Sequence, residues 1–403
     1  MRGVIKFLLT FVIGIALIWL GFWWYAESRL QSGFTAWADQ QATRGWKISY
    51  DSIHRGSSIF DAAVTINNLS LTLPPDTTGG QISIGLPSLS LRIHALNPLV
   101  FHTDLPNRIT INLGHNLGLV WSTASSALAE NLDPNQLFNR SADPFWGGDF
   151  SASDVDLLAS GSLLMLHIDK ISGHSDLNLK AGADHTALAS KIAFDGIAVP
   201  PWLAQIAYIP FDGKLAHIDA ALRLSGPVPA NLPQLLGPMS ALAHNLAAQQ
   251  RLIMPVAHQW AASGGSGNAA VNSTIGPSTI KAGVALKFDS NLQPDGTADL
   301  TADHLDQLTA AITNANPRLQ ADVAQAAAQA SQFLSNTDQG GQTLAMHVVF
   351  GPPGIFINGQ KTGDLPPFDW NAALNPLPAP VQATGDGSGA AGPAAPPVNP
   401  DTP

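Results

Sequence analysis

The chain has 403 residues, 19 basic against 29 acidic, for a formal charge of −10, and no cysteine. Without a stripe of clustered Lys and Arg it is a poor nucleic-acid binder, and without cysteine it has no disulfide, thiolate metal site or Cys nucleophile. Hydrophobic residues make up 45%, enough for a sizeable core, while charged residues at 12% are about half the usual share; Ser, Thr, Asn, Gly and Pro fill the gap, as in exported β proteins with uncharged polar faces.

The first element is FLLTFVIGIALIWLGFWWYA, Phe7 to Ala26, uncharged and bounded by Lys6 and Glu27. As a helix it is about 30 Å long, the thickness of a bilayer's hydrocarbon core. Arg2 and Lys6 precede it and hold that end in the cytoplasm by the positive-inside rule, while Trp19, Trp23, Trp24 and Tyr25 gather at the other end, at headgroup level. The alternative is a cleaved signal peptide. The run is longer than a usual signal core, and large aromatics stand where small residues would mark cleavage, so an uncleaved anchor is expected. Residues 1–27 are thus assigned as cytoplasmic tip and transmembrane anchor, and 28–45 as an amphipathic helical connector. In the connector Leu30, Phe34 and Trp37 recur at i, i+4 and i+7.

From Trp46 the period changes to 2. Trp46, Ile48 and Tyr50 alternate with polar residues, then Val64 and Ile66 pass into Leu69, Leu71 and Leu73 across a slip at Asn67-Asn68 that predicts a bulge. Further alternating runs follow at 82–86, 89–93, 109–113, 117–121, 164–168, 177–179, 192–194, 218–224, 280–288 and 344–350, separated by Pro, Gly, Asn and Asp. Strands with one apolar and one polar face belong to an antiparallel sheet wetted on one side. Helices are expected at 122–139, within 229–258 after Pro233, and as a pair near Leu305–Ile312 and beyond Asn316-Pro317, a cap followed by a first-turn proline. Residues 46–373 are assigned as one β-rich domain, and 374–403, mostly Pro, Ala, Gly and small polar residues, as a disordered tail. The fold class is α+β, mainly β: a transmembrane helix followed by a large, curved, predominantly antiparallel sheet with inserted helices.

Chemistry-bearing motifs are sparse. His167-x-Asp169 and His217-x-Asp219 place both side chains on one strand face, but opposite the apolar positions, so both pairs are expected to face water. His174-Asp176, Asp303-His304, Asp154 and Asp156 are weaker still. Gly387, Gly389 and Gly392 match a dinucleotide fingerprint only by composition, since no strand precedes them and no helix follows. Trp121, Trp146, Trp202 and Trp260 are expected to be structural. No catalytic residue, cofactor site or metal site is expected.

The anchor, the Pro-punctuated first hairpins, Trp260 to Gly265 (WAASGG), Phe288 to Leu308 (FDSNLQPDGTADLTADHLDQL) and Gly351 to Phe368 (GPPGIFINGQKTGDLPPF) resemble the bacterial domain of unknown function 2125, typical of alphaproteobacteria. That family carries no assigned activity. At the level of pattern the chain is also similar to AsmA-like envelope proteins, which implies a curved sheet with an apolar concave face and a part in lipid traffic. The resemblance implies a single-pass protein of the bacterial inner membrane with its bulk in the periplasm. Its expected partners are the bilayer, through residues 7–26, and lipid or other envelope proteins. Two roles are expected: binding or shielding lipid along an apolar sheet face, or a non-catalytic scaffold or protein-interaction module.

Overall fold

The structure is a computed structural model. It describes residues 2–43, 45–56, 58, 60–74, 81–94, 96–114, 117–132, 145–183, 185–229, 246–336 and 341–374; the side chains of 2–18, 20, 22, 132, 145, 146, 246–250 and 336 lie outside that description. One helix, α1 (Arg2–Thr43), runs unbroken through the apolar segment and the connector. Among the described residues no helix is long and apolar enough to cross a membrane; residues 7–18 of the apolar run belong to α1 with their side chains outside the description.

Nineteen strands among the described residues form a single sheet, and every ladder is antiparallel. The first third comprises β1 (Lys47–Ser49), β2 (Ser52–Arg55), β3 (Asp61–Thr72), β4 (Ser83–His94), β5 (Asn97–Asp104), β6 (Arg108–Asn112), β7 (Gly118–Ser122) and β8 (Ser125–Leu132). Several of these short strands are halves of one long rung. β1 and β2 lie end to end along β3. β5 and β6 lie end to end along β4, and β7 and β8 cross from them to β9 (Phe145–Ala159).

From β9 the chain is a plain meander through β10 (Leu163–Leu177), β11 (Thr186–Ala198), β12 (Lys214–Ser225), β13 (Ser266–Ile275), β14 (Ser278–Phe288) and β15 (Pro294–Asp303). The last strands are β16 (Leu334–Asn336), β17 (Gln342–Gly351), β18 (Gly354–Ile357) and β19 (Gln360–Gly363). β17 pairs with β15 on one side and with β16 and β18 on the other. Among the described residues no ladder joins the first rung to the last. Four helices interrupt the meander at its turns, α2 (Pro201–Ile206), α3 (Leu246–Ala262), α4 (Leu305–Ala315) and α5 (Gln320–Ala330), and α6 (Trp370–Leu374) follows the last described strand.

The mainly β, antiparallel expectation holds, with differences of detail. The bulge expected at Asn67-Asn68 is not formed: the β3–β4 register is the same on both sides, and Asn68, with φ +51°, and Pro87 opposite it are simply left out of the ladder. Pro87 lacks an N–H to donate there, and the left-handed backbone at Asn68 changes which face the apolar residues take without any inserted residue. The runs at 82–86 and 89–93 are therefore one strand. The helix expected at 122–139 is not formed over its described part. Ser125–Leu132 is a strand, since Ala and Leu are good helix formers but ladders with β5 and β9 satisfy its backbone on both sides. Helix α3 is the later part of the expected 229–258 helix; Leu236, Met239 and Leu242 fall outside the described residues, as do 375–403. Asn316 caps the turn that opens on Pro317, its Oδ1 accepting from Arg318 N.

The best-packed core lies under the second half of α1. Leu30 and Phe34 pack with Val64, Ile66, Leu69, Leu86 and Leu91, and Trp23 and Ala26 with Ala62; Ala62, Val64 and Ile66 have no exposed surface. A second cluster, Ala152, Val155, Ile168 and Ile171 with Trp121 and Phe194, lies across β7 and β9–β11.

Candidate functional site

Directly paired residues in an antiparallel ladder point to the same face, so the registers trace one face across the whole sheet. Val64 pairs with Leu91, Ile93 with Phe101, Ile84 with Ile111, Ile109 with Trp121 and Trp121 with Leu157. Val155 then pairs with Ile168, Ile168 with Ile197, Ile192 with Ala220 and Ala220 with Val271. The row continues through Ala282, Leu300 and Met346. Two-residue steps along the strands add Leu222, Ala269, Val284 and Ala298 to this face. It is mostly apolar from β3 to β17, with Glu130, paired with Phe101, a charged residue on it.

Cover over this face is uneven. Helix α1 seals β3 and β4. Over β11–β14, Ile192, Leu222, Val271 and Val284 keep 40, 40, 43 and 41% of their surface exposed. Helix α3 meets the same face nearer the strand ends, where Trp260 lies against Gly267 and Phe288.

The opposite face carries the ion pairs, many of them between histidine and aspartate. On β9–β10, His167 Nδ1 lies 2.7 Å from Asp156 and Nε2 lies 3.0 Å from Asp169; His174 makes the same double contact with Asp149 and Asp176, both at 2.8 Å. A neutral imidazole has one N–H and one lone pair, so only the imidazolium satisfies two flanking carboxylates. Accordingly both histidines titrate above the ordinary value, His167 chiefly through its hydrogen bond to Asp156 and His174 through that to Asp149. An imidazolium held at both nitrogens offers no lone pair to a metal or a substrate proton. His217 pairs with Asp195 at 2.6 Å and His347 with Asp299 at 2.6 Å. Among the described residues no group of three or more His, Cys, Asp or Glu is placed to hold a metal ion.

The two sequence pairs therefore sit on different ladders, β9–β10 and β11–β12, with the β10–β11 ladder between them. His167 and Asp169 border a shallow depression of about 470 Å³ with Phe211 and Lys214. Asp169 reaches it over Gly196, which the ladder leaves unpaired, whose φ is +64° and where any Cβ would collide with the carboxylate. Asp219, expected to face water, is buried. Asn272 lies beside it on the same face and donates Nδ2 to both carboxylate oxygens at 2.9 and 3.0 Å. Asp154 has a left-handed backbone, φ +49°, and is left unpaired in the β9–β10 ladder, whereas Asp156 pairs with His167. Asp303 accepts from Thr343, and the His304 carbonyl accepts from Ser278. Gly387, Gly389 and Gly392, and the side chains of Trp146, Arg2 and Lys6, lie outside the description.

The aromatic residues divide by direction. Trp23 is buried on Ala62 and meets Trp19 edge-on at 5.8 Å, whereas Trp24 and Tyr25 point outward; Arg29 lies 5.8 Å above the Tyr25 ring. Trp121 packs on the apolar face, but Trp202 on α2 is exposed beside Ile206 and Tyr208, unlike the structural role expected for it.

Three of the segments singled out in the sequence meet at one point. Trp260 donates Nε1 to Ser225 O at 2.9 Å, and its ring lies where a Cβ on Gly265 would be, which accounts for the glycine in WAASGG. Phe288 packs against Trp260 and Trp370, and Trp370 against Phe368. Gln293 of NLQPDG exchanges hydrogen bonds with the backbone of Phe368. This clasp ties α3, the β14–β15 turn and the final segment together.

A family described as an uncharacterized protein conserved in bacteria (DUF2125) matches residues 23–366. The chain belongs to that family. No curated protein and no solved structure matches it.

Proposed function

We propose that this DUF2125 member is a membrane-anchored envelope protein that binds or shields lipid acyl chains along the apolar face of its sheet. One observation carries the reading: a mostly apolar face runs from β3 to β17, and Ile192, Leu222, Val271 and Val284 on it stay about two-fifths exposed. An acyl chain gains about 0.8 kcal/mol per methylene buried, so a dozen methylenes contribute on the order of 10 kcal/mol before ordering costs. Such a ligand needs no specific polar partner, in keeping with a polar face whose histidines are occupied by aspartates. The anchor is α1: residues 7–26 cross the bilayer of a bacterial inner membrane, with the N-terminus cytoplasmic and the sheet periplasmic. The pattern-level likeness to AsmA-like proteins, and a curvature that makes the apolar face concave, belong to the same proposal.

Mass spectrometry of the detergent-extracted protein tests it. Co-purifying phospholipid or lipopolysaccharide is expected, and a lipid-free preparation counts against the reading. A reporter fused to the C-terminus tests the topology and is expected to lie outside the cytosol.

One observation favours a second reading, a protein-interaction module. Trp202, Ile206 and Tyr208 form an exposed apolar knob on and just after α2, where a partner could dock. Cross-linking in intact cells separates the two: defined protein adducts without lipid adducts favour the module.

A further inference from the structure

The packing of α1 fixes which end of the sheet is nearest the apolar run. Trp23 and Ala26 pack on Ala62 at the start of β3. Gln31 bonds Arg55, which pairs with Val64, and Phe34 meets Tyr50 at 5.5 Å, just before the backbone bond from Asp51 N to Asn67 O. Rising numbers in α1 thus accompany rising numbers in β3, and the helix leaves the sheet past Asp61, toward its own N-terminus. Beyond that point lie the turn ending at Phe60 and the turn between β4 and β5, for Asp61 pairs with His94 and His94 with Asn97.

Both turns expose large apolar side chains, Phe60 at 58% and Leu96 at 84% of its surface, beside the outward-facing Trp24 and Tyr25 of α1. Isolated exposed apolar residues are ordinary, but these four share one end of the molecule, the end where the apolar run of α1 finishes. Ala62 is level with the last turn of residues 7–26. Phe60 stands two residues further out, about 7 Å along the strand at ~3.3 Å per residue. If residues 7–26 span the hydrocarbon, both turns are therefore held at the depth where apolar side chains of interfacial proteins settle, about 5–10 Å into the headgroup and acyl boundary.

We propose that this rim, Phe60 and Leu96 with Trp24 and Tyr25, is a membrane seat: the sheet stands with its first hairpins pressed into the lipid surface instead of hanging from a free tether. The inference rests on the reading of α1 as the anchor. Its consequence is geometric, since a seated sheet holds its apolar face at a fixed attitude to the bilayer from which lipid would enter.

The absence of cysteine makes the test direct. Single Phe60→Cys, Leu96→Cys, Leu117→Cys and Ile15→Cys variants of the full chain, each carrying an environment-sensitive fluorophore, go into phosphatidylethanolamine–phosphatidylglycerol vesicles containing brominated-chain lipid. Leu117 is the internal control. It too is exposed, but it lies in the turn at the other end of the sheet, beyond Asn112, which pairs with Ser83. The seat predicts blue-shifted, quenched emission at positions 60, 96 and 15, and unquenched emission at 117. Quenching at 15 with none at 60 and 96 overturns the seat and leaves the anchor standing. No quenching at 15 removes the anchor and the seat with it. Equal quenching at 117 also overturns the seat, because it shows contact without orientation.

Discussion

The rungs under α1 and the rungs from β11 to β14 present the same apolar face with the same alternation, yet Ile66 is fully buried and Val271 is nearly half exposed. The difference lies in what covers them: α1 brings Leu30 and Phe34 onto β3 and β4, whereas α3 meets β12–β14 through Trp260 near their ends, at Ser225, Gly267 and Phe288, and Leu222, Val271 and Val284 stay partly exposed. Period-2 patterning therefore announces that a face is apolar without saying that it is core. A single layer can be held together by its ladders and cross-strand pairs alone, leaving one stretch of face free for another partner.

The largest test of this contrast is a pair of truncations. Ile66→Ala is expected to cost about 2–5 kcal/mol, the range for emptying a packed site, while Val271→Ala, a comparable truncation on the partly exposed stretch, should stay within about 1 kcal/mol. Urea unfolding midpoints measure both. Similar losses would mean that the β11–β14 face is packed after all. A smaller effect is expected at the aromatic clasp. Gly265→Ala forces the Trp260 ring off its seat and should cost about 1–3 kcal/mol, as overpacking does, with a change in tryptophan fluorescence.

The smallest effect concerns the polar face. His167 and His174 have folded pKa values above the ordinary 6.5. Their stabilisation is therefore complete below that value and is lost as pH rises through the raised folded values. With half-exposed partners each contributes no more than about 1 kcal/mol. Comparing unfolding midpoints below pH 6.5 with those at alkaline pH should show a modest loss that His167→Gln and His174→Gln together abolish.

Much of the sheet was legible because its strands are solvated on one side. Ile280 to Phe288 and Leu344 to Phe350 alternate without interruption, and the Asn67-Asn68 slip marked a real change of face, made by a left-handed residue and not by an inserted one. Ser125–Leu132 was not legible, since Ala-rich sequence favours a helix locally and only the ladders to β5 and β9 decide otherwise. Nor could spacing show that Asn272 would bury Asp219, or that His167 would be held from both sides, because those partners come from neighbouring strands. Phe60 and Leu96 look like stray turn residues until register places them at one end. The WAASGG, NLQPDG and DLPPF segments stood out as family marks. Their common cause, packing around Trp260, Phe288 and Trp370, appears only when the chain is folded.

Residues 270 and 271 offer the most direct measurement, being neighbours on β13 that point to opposite faces. Ala270→Cys and Val271→Cys variants of the full chain, labelled with the same fluorophore and given brominated-chain phospholipid in mild detergent, read lipid contact face by face. Quenching at 271 without quenching at 270 is the predicted result. Equal quenching at both positions, or none at either, would contradict a lipid-bearing apolar face.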